Sequence, residues 1–273
     1  MPVICVGNLV AGGSGKTPCV IHLAERLIDL NYRPAILSRG YGGQLAGPLR
    51  VDPDRHTAAM VGDEPIMMAD IHDLDVWIAK DRLAGAKAIE DSRTHDVILL
   101  DDGLQHPHLA KDVSFIVIDG KTGLGNRYGI PAGPLRMSLD DGLRIADGII
   151  IIGDDEHGVT NDIGLPVFKA GIIPDQKTAE NLNGKSVIAF AGIGRPEKFE
   201  GSLRQLGAEI CQFIAFDDHH RYRRRDIERL TKLAGEHNAK LVTTEKDLVR
   251  LPPHLRPQVI ALPIDLIFPK ASG

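Results

Sequence analysis

Short apolar runs alternate with amphipathic stretches along most of the chain. Residues 3–6, 35–37, 76–79, 97–100, 115–118 and 149–152 are apolar without a regular polar alternation. That is the signature of strands covered on both faces rather than one. Between the first two, Val20, Leu23, Ala24, Leu27 and Ile28 recur at helical spacing, which predicts a helix from Thr17 to about Asn31, with Pro18 in its first turn where a missing N–H costs nothing. A second helix is expected from Asp81 to about Glu90. Strands separated by helices imply βαβ units and a mainly parallel sheet.

Residues 153–164 break this texture, being polar and acidic with no clear period. The domain boundary is therefore placed there, giving a larger unit at 1–155 and a smaller one at 156–273. In the second unit, strands are expected at 187–190, 210–215, 241–243 and 259–263, with helices near 197–206 and 225–237. The fold class is α/β: a mainly parallel sheet flanked by helices, followed by a smaller α/β domain.

The first strand runs into Val10-Ala11-Gly12-Gly13-Ser14-Gly15-Lys16-Thr17, which opens the first helix. Glycines let backbone N–H groups turn inward around phosphate oxygens, and the helix N-terminus adds partial positive charge. Lys16 is placed to reach the β- and γ-phosphates of a nucleotide, and the Thr17 hydroxyl to meet Mg²⁺. The sheet is thus of the P-loop NTPase type, with ATP as the expected ligand. The strict motif begins with glycine where this chain has Val10, so the loop follows the Gly-Gly-x-Gly-Lys-Thr variant. Some partition ATPases with that variant carry a lysine where Ala11 stands.

A second signal is the strand at 97–100, which ends in Asp101-Asp102. Ligands gather at the carboxyl ends of parallel strands, and a strand-end aspartate is how a P-loop protein reaches its metal. The plainer reading is an Asp-Asp-Gly turn. His106 and His108 have the look of a metal pair, but hard phosphate chemistry favours Mg²⁺ on oxygen ligands.

Two further clusters carry candidate acids and bases. Asp63 and Glu64 follow Gly62 and precede a helical stretch, where Asp63 reads either as a helix cap or as a proton acceptor. Asp217-Asp218-His219-His220 lies at a strand-to-helix passage of the second unit, either as a solvated loop or as an imidazole held by carboxylates. Arg221, Arg223, Arg224 and Arg225 follow, suited to a solvated helix start or to an acidic head group. Arg39 and Arg136, each after a glycine- or proline-rich turn, are candidates to steady phosphate charge.

Composition narrows the field. Net charge is −5 and aromatics are 4% of residues, which argues against a nucleic-acid binder that stacks bases. The three cysteines, Cys5, Cys19 and Cys211, are widely spaced with no Cys-x-x-Cys pair, so a buried reduced thiol is expected at Cys5 and no structural zinc site. No apolar run is long enough to span a bilayer and no signal peptide is visible, which fits a cytoplasmic protein.

Taken in order, Val6-Gly7-Asn8-Leu9, the glycine-rich loop through Pro18, Ser38-Arg39-Gly40-Tyr41-Gly42-Gly43, Val61 to Pro65, Asp101 to His106, Pro131 to Arg136, Asp218 to Tyr222 and Thr243-Thr244-Glu245-Lys246-Asp247 resemble the tetraacyldisaccharide 4′-kinases, the lipid A 4′-kinases of Gram-negative bacteria. The resemblance spans nearly the whole chain. It implies transfer of phosphate from MgATP to the 4′-hydroxyl of a tetraacylated glucosamine disaccharide 1-phosphate, in a cleft between the two domains. It implies Asp63 as base supported by His219, Lys16 on the phosphates, and Thr17, Asp101 and Asp102 around Mg²⁺. Arg39, Gln105, His106, Arg136, Arg223 and Arg224 are the expected contacts to the anionic lipid. It further implies a peripheral position at the cytoplasmic face of the inner membrane, with neither nucleic acid nor a protein partner. Two departures stand out. The family usually carries an apolar helix before the first strand, whereas Met1 abuts that strand here. Met137 stands where a glutamate usually follows the arginine of the proline-rich turn. A nucleotide switch of the partition-ATPase type is the alternative reading.

Overall fold

The computed structural model describes residues 1–161 and 163–269. The chain opens with β1 (Val3–Gly7), the glycine-rich loop and α1 (Lys16–Asp29), then β2 (Pro34–Ser38), β3 (Leu49–Arg50), α2 (Ala58–Val61), α3 (Asp63–Asp70), β4 (Val76–Ile78), α4 (Arg82–Ser92) and β5 (Val97–Asp101). It continues with β6 (Val113–Asp119), α5 (Leu139–Ile145), β7 (Gly148–Ile152) and β8 (Val167–Pro174). Among the described residues these strands, joined by β13 (Ile264–Ile267), form a nine-stranded sheet of order β13-β8-β7-β6-β1-β5-β2-β4-β3. Pairings are parallel except at the two edges, β13 on β8 and β3 on β4. The strand order fans out both ways from β1, which makes its carboxyl end the point where a sheet of this kind opens a crevice.

Both faces of the sheet are covered, as the unbroken apolar runs demand. Val6, Leu99 and Val117 pack with Cys19, Val20 and Ala24 of α1 on one side. On the other, Cys5, Leu100 and Ile118 pack with Ile89 of α4. Cys5 and Cys19 are free and buried, and burial pushes both thiols up to about 12, so they act as small apolar side chains.

The second unit contains α6 (Gln176–Leu182), β9 (Ser186–Ala191), α7 (Pro196–Gln205), β10 (Glu209–Ala215), α8 (Arg224–Glu236), β11 (Lys240–Thr244), α9 (Glu245–Leu248) and β12 (Val259–Leu262). Its four strands form a parallel sheet of order β10-β9-β11-β12. Apolar clusters lie on both of its faces, one with Phe199 and Leu203 of α7, the other with Phe190, Leu230 and Tyr222.

The boundary expected at 155/156 needs correction. β8 lies beyond it yet pairs with β7 in the large sheet, and the chain returns to that sheet in β13 after finishing the second unit. The cause lies in β8 itself. Lys169 and Gly171 interrupt its apolar residues, so this strand near the sheet edge lacks the unbroken run by which its buried neighbours were recognised.

Candidate active site

The glycine-rich loop connects the centre of the sheet to α1. Gly15 caps α1 at φ 86°, and a Cβ there would lie 2.3 Å from Ile152 Cδ1, so only glycine fits without strain. The loop is supported from behind: the buried Asn8 donates to Ser14 Oγ at 2.8 Å, and Ala11 N–H donates to the Pro134 carbonyl at 2.8 Å. Lys16 and Thr17 open the helix beneath it.

Three carboxylates face these two residues. Asp102, held at φ 55°, lies 3.7 Å from Lys16 Nζ and accepts both of its contacts from Arg136 Nη1, at 2.8 and 3.0 Å. Asp101 closes β5. It accepts from Ser38 Oγ at 3.1 Å, while its Oδ1 is buried without a partner. Burial first, then the charges of Glu64 and Asp102, push its carboxyl up to about 7. The third is Glu64 of α3, which accepts from Thr17 Oγ1 at 3.0 Å and pairs with Lys246 of α9. Burial raises Glu64, but the Lys246 charge and hydrogen bond outweigh it, and the net direction is down.

An orphaned buried carboxylate oxygen at the end of the strand paired with β1 suits a hard divalent cation. Among the described residues no three acidic, histidine or cysteine side chains close into a ready-made cage. That too suits Mg²⁺, which takes one or two carboxylates and fills its octahedron with phosphate oxygens and water.

Asp63 is the first residue of α3, but it does not cap the helix. Gly62 occupies the cap position at φ 97°, where a Cβ would meet the Tyr41 carbonyl at 2.5 Å. The Asp63 carboxylate is therefore free for other work. Its Oδ2 lies 2.7 Å from His219 Nδ1 and 2.7 Å from Arg250 Nε, both from the second unit. Burial raises the carboxyl, yet these two partners overcome it and hold it below the usual carboxylate range. The Asp63 hydrogen bond raises His219 in turn. An ionised carboxylate accepts only, so His219 Nδ1 carries the proton in this pair.

The helix bearing Asp63 is stitched to the second unit along its length. Asp63 meets Arg250, Glu64 meets Lys246, and Asp70 meets Arg256 at 2.8 Å. Another cross-unit contact touches the loop directly. Arg195, in the turn after β9, donates to the Gly13 carbonyl and, at 2.9 Å, to Asp119 at the end of β6, which also takes Lys198.

The remaining expected contacts are mixed. Arg136 lines an open recess of about 490 Å³ with Arg127, Ile130 and Met137, next to the loop. Arg39 is exposed at the carboxyl end of β2. Gln105 is spent on the Asn8 carbonyl at 2.8 Å, and His106 stands edge-on to His108 with ring centroids 5.7 Å apart. Arg223 and Arg224 are exposed at the start of α8, where Arg224 turns onto its own helix at Glu228 Oε1, 2.7 Å away.

Sequence reasoning missed Glu64 as a neighbour of Thr17, quoted Lys246 only as part of a motif without giving it a role, and missed Arg250, Arg195 and Asp119 altogether. Asp119 was within reach, because it ends a strand next to β1 at the carboxyl edge where ligands gather. Arg195 reaches Gly13, Lys246 reaches Glu64 and Arg250 reaches Asp63 across 182 or more positions, and nothing local marks such contacts.

A glycine-rich loop opening a helix, carboxylates beside it and a carboxylate–imidazole pair assembled from two units make the arrangement that phosphoryl transfer needs. Fold and cleft together define a P-loop kinase. The family model described as Tetraacyldisaccharide-1-P 4′-kinase matches residues 1–273, and the chain belongs to that family. It is 50% identical over 269 residues to the tetraacyldisaccharide 4′-kinase of Rhodospirillum centenum, covering 97% of this chain and 79% of that one. With the enzyme of the same name from Methylorubrum extorquens it shares 48% over 272 residues, covering 98% and 82%. A crystal structure from Aquifex aeolicus, of this kinase in complex with ATP, superposes with a TM-score of 0.80 at 30% identity, covering 99% of this chain and 85% of that one.

Proposed function

We propose that this chain transfers the γ-phosphate of ATP to the 4′-hydroxyl of a tetraacylated glucosamine disaccharide 1-phosphate, a lipid A precursor, with Asp63 as the base. The observation that carries this reading is the Asp63–His219 pair, contributed by two units and standing on the helix whose next residue, Glu64, touches the P-loop threonine. That placement supports a carboxylate able to meet a hydroxyl held against a loop-bound triphosphate.

The residues divide the work. Gly12, Gly13, Ser14, Gly15 and Lys16 bind the triphosphate, with Val10 and Ala11 leading into the loop. Thr17, Asp101 and Asp102 would hold Mg²⁺, which would neutralise charge on the phosphates. As the acceptor oxygen bonds to the γ-phosphorus and the bond to the bridging oxygen breaks, Asp63 takes the hydroxyl proton. Lys16 and the loop N–H groups meet the charge left on ADP. The transition state is loose, so proton transfer is late and a carboxylate of low basicity suffices as long as it is ionised and well placed. His219 supports the carboxylate from the second unit.

The anionic substrate is expected to meet Arg136 beside the loop and Arg39 at the carboxyl end of β2, with Gln105, His106, Arg223 and Arg224 as further expected contacts. A substrate with four acyl chains brings the enzyme to the cytoplasmic face of the inner membrane as a peripheral protein. No helix among the described residues is long and apolar enough to cross it.

The test is a phosphorylation assay with a tetraacyl disaccharide 1-phosphate in detergent micelles. Asp63→Ala is expected to lower kcat by about 10²–10⁴-fold, the usual worth of a general base, with MgATP affinity retained within about threefold. Turnover near wild type in that variant would remove Asp63 from the role.

A further inference from the structure

Asp63 is gripped by one oxygen only. Oδ2 accepts from both His219 Nδ1 and Arg250 Nε, whereas no donor among the described residues reaches Oδ1. The two donors differ in kind. His219 is nearly half exposed and sits on a loop, at φ 57°. Arg250 is 4% exposed and already fixed within the second unit: Nη1 donates to the Gly192 carbonyl at 2.6 Å and to Asp247 Oδ1 at 2.9 Å. Asp247 is itself fully buried and takes the Gly192 N–H, the Tyr222 O–H and the Thr244 O–H. The guanidinium therefore presents Nε from a rigid mount.

A carboxylate has a broad terminal torsion, so its reactive oxygen is not aimed by its own rotamer. We infer that Arg250 is the positioning residue for phosphoryl transfer: by clamping Oδ2 of Asp63 from the second unit, it leaves Oδ1 directed at the acceptor hydroxyl. The inference rests on Asp63 serving as the base. It assigns the aim of that base to a residue 187 positions away, so the working geometry exists only while the two units are in contact at α3. Lysine cannot replace it fully, because a single ammonium does not hold Gly192, Asp247 and Asp63 in three directions as a planar fork does.

The experiment is a mutant cycle on the full chain, with kcat, both KM values and MgATP affinity measured for each variant. Arg250→Gln is expected to lower kcat by about a hundredfold, the cost of a reacting group misplaced by roughly an ångström, with both KM values within about threefold. Arg250→Lys should recover about a tenth of wild-type kcat. In an Asp63→Asn background, adding Arg250→Gln should change the residual rate by less than about twofold, since the arginine acts only through that carboxylate. Arg256→Gln, which breaks the neighbouring cross-unit pair with Asp70, should leave kcat within about threefold. Full multiplication of the two losses in the double variant, or an equal loss in Arg256→Gln, would overturn the inference. If Arg250→Gln fails to fold, Arg250→Lys carries the test, and wild-type kcat in that variant overturns it. The Asp63→Asn rate alone judges the base assignment, so the two failures are told apart.

Discussion

Replacing Asp247 with alanine should destabilise the second unit more than any single change on its surface. Asp247 is fully buried, and its two oxygens receive Arg250 Nη1, the Gly192 N–H, the Tyr222 O–H and the Thr244 O–H. Arg250 would keep Asp63 and the Gly192 carbonyl, so its loss is one charge-assisted bond rather than an orphaned charge, about 2 kcal/mol. The Gly192 and Tyr222 donors have no water to turn to and cost about 1 kcal/mol each, while the half-buried Thr244 hydroxyl rehydrates. The total is about 4 kcal/mol, close to what breaking a buried ionic pair costs elsewhere. At about 2–4 °C per kcal/mol for a domain of this order, Tm should fall by roughly 10 °C. Asp247→Asn, which keeps the volume and one acceptor oxygen, should lose about half as much. Differential scanning calorimetry at neutral pH measures both. A fall below about 3 °C for the alanine variant would refute the reasoning, because it would mean that these donors find other partners or water.

Two further outcomes follow from the site. Gly15→Ala should weaken MgATP binding by about 5- to 150-fold in titration calorimetry, since a left-handed φ and the 2.3 Å approach to Ile152 together cost about 1–3 kcal/mol at the loop; a Kd within twofold of wild type would contradict it. The His219–Asp63 pair should also leave a trace in stability against pH. His219 is raised in the folded state, so its contribution is complete below the ordinary value of 6.5 and disappears as pH climbs through the raised one. Asp63 is lowered, so its part is present above the ordinary carboxylate value and is lost as pH falls through the depressed one. The gap in unfolding free energy between wild type and His219→Gln should therefore be widest on the acid side of 6.5, amount to no more than about 1 kcal/mol because the imidazole is half exposed, and close in alkaline buffer; a gap that widens with pH would sink it.

Much of the large unit was legible because its chemistry is local. The loop from Gly12 to Thr17 lies between one strand and one helix, and both have their own period. The helix expected from Thr17 begins at Lys16, and the strand expected at 97–100 ends on Asp101 as the metal reading required. β8 and β13 were not legible: Lys169 and Gly171 interrupt the apolar residues of β8, and the edge strand β13 is short, with Asp265 inside it. The same limit applies to the cleft. Asp63 was ambiguous from its own surroundings, and its neighbours Gly62 and Glu64 are consistent with a cap. What decides against capping is a glycine conformation and an arginine in another unit, and neither leaves a periodic mark.

The return of β13 to the large sheet has a mechanical consequence. Pro174 at the end of β8 pairs with Ile264 at the start of β13, and Asp175 N–H donates to the Pro263 carbonyl at 3.0 Å. Everything between them, two helical layers and a parallel sheet, enters and leaves through one narrow neck. A body tethered by two adjacent strands can swing about that neck but is poorly placed to slide or turn freely, so His219, Arg250, Lys246 and Arg195 approach or leave the phosphate loop as a group. The same neck makes the second unit an insertion in the topological sense: cut at its two ends, the large sheet would need only a short turn to join β8 to β13.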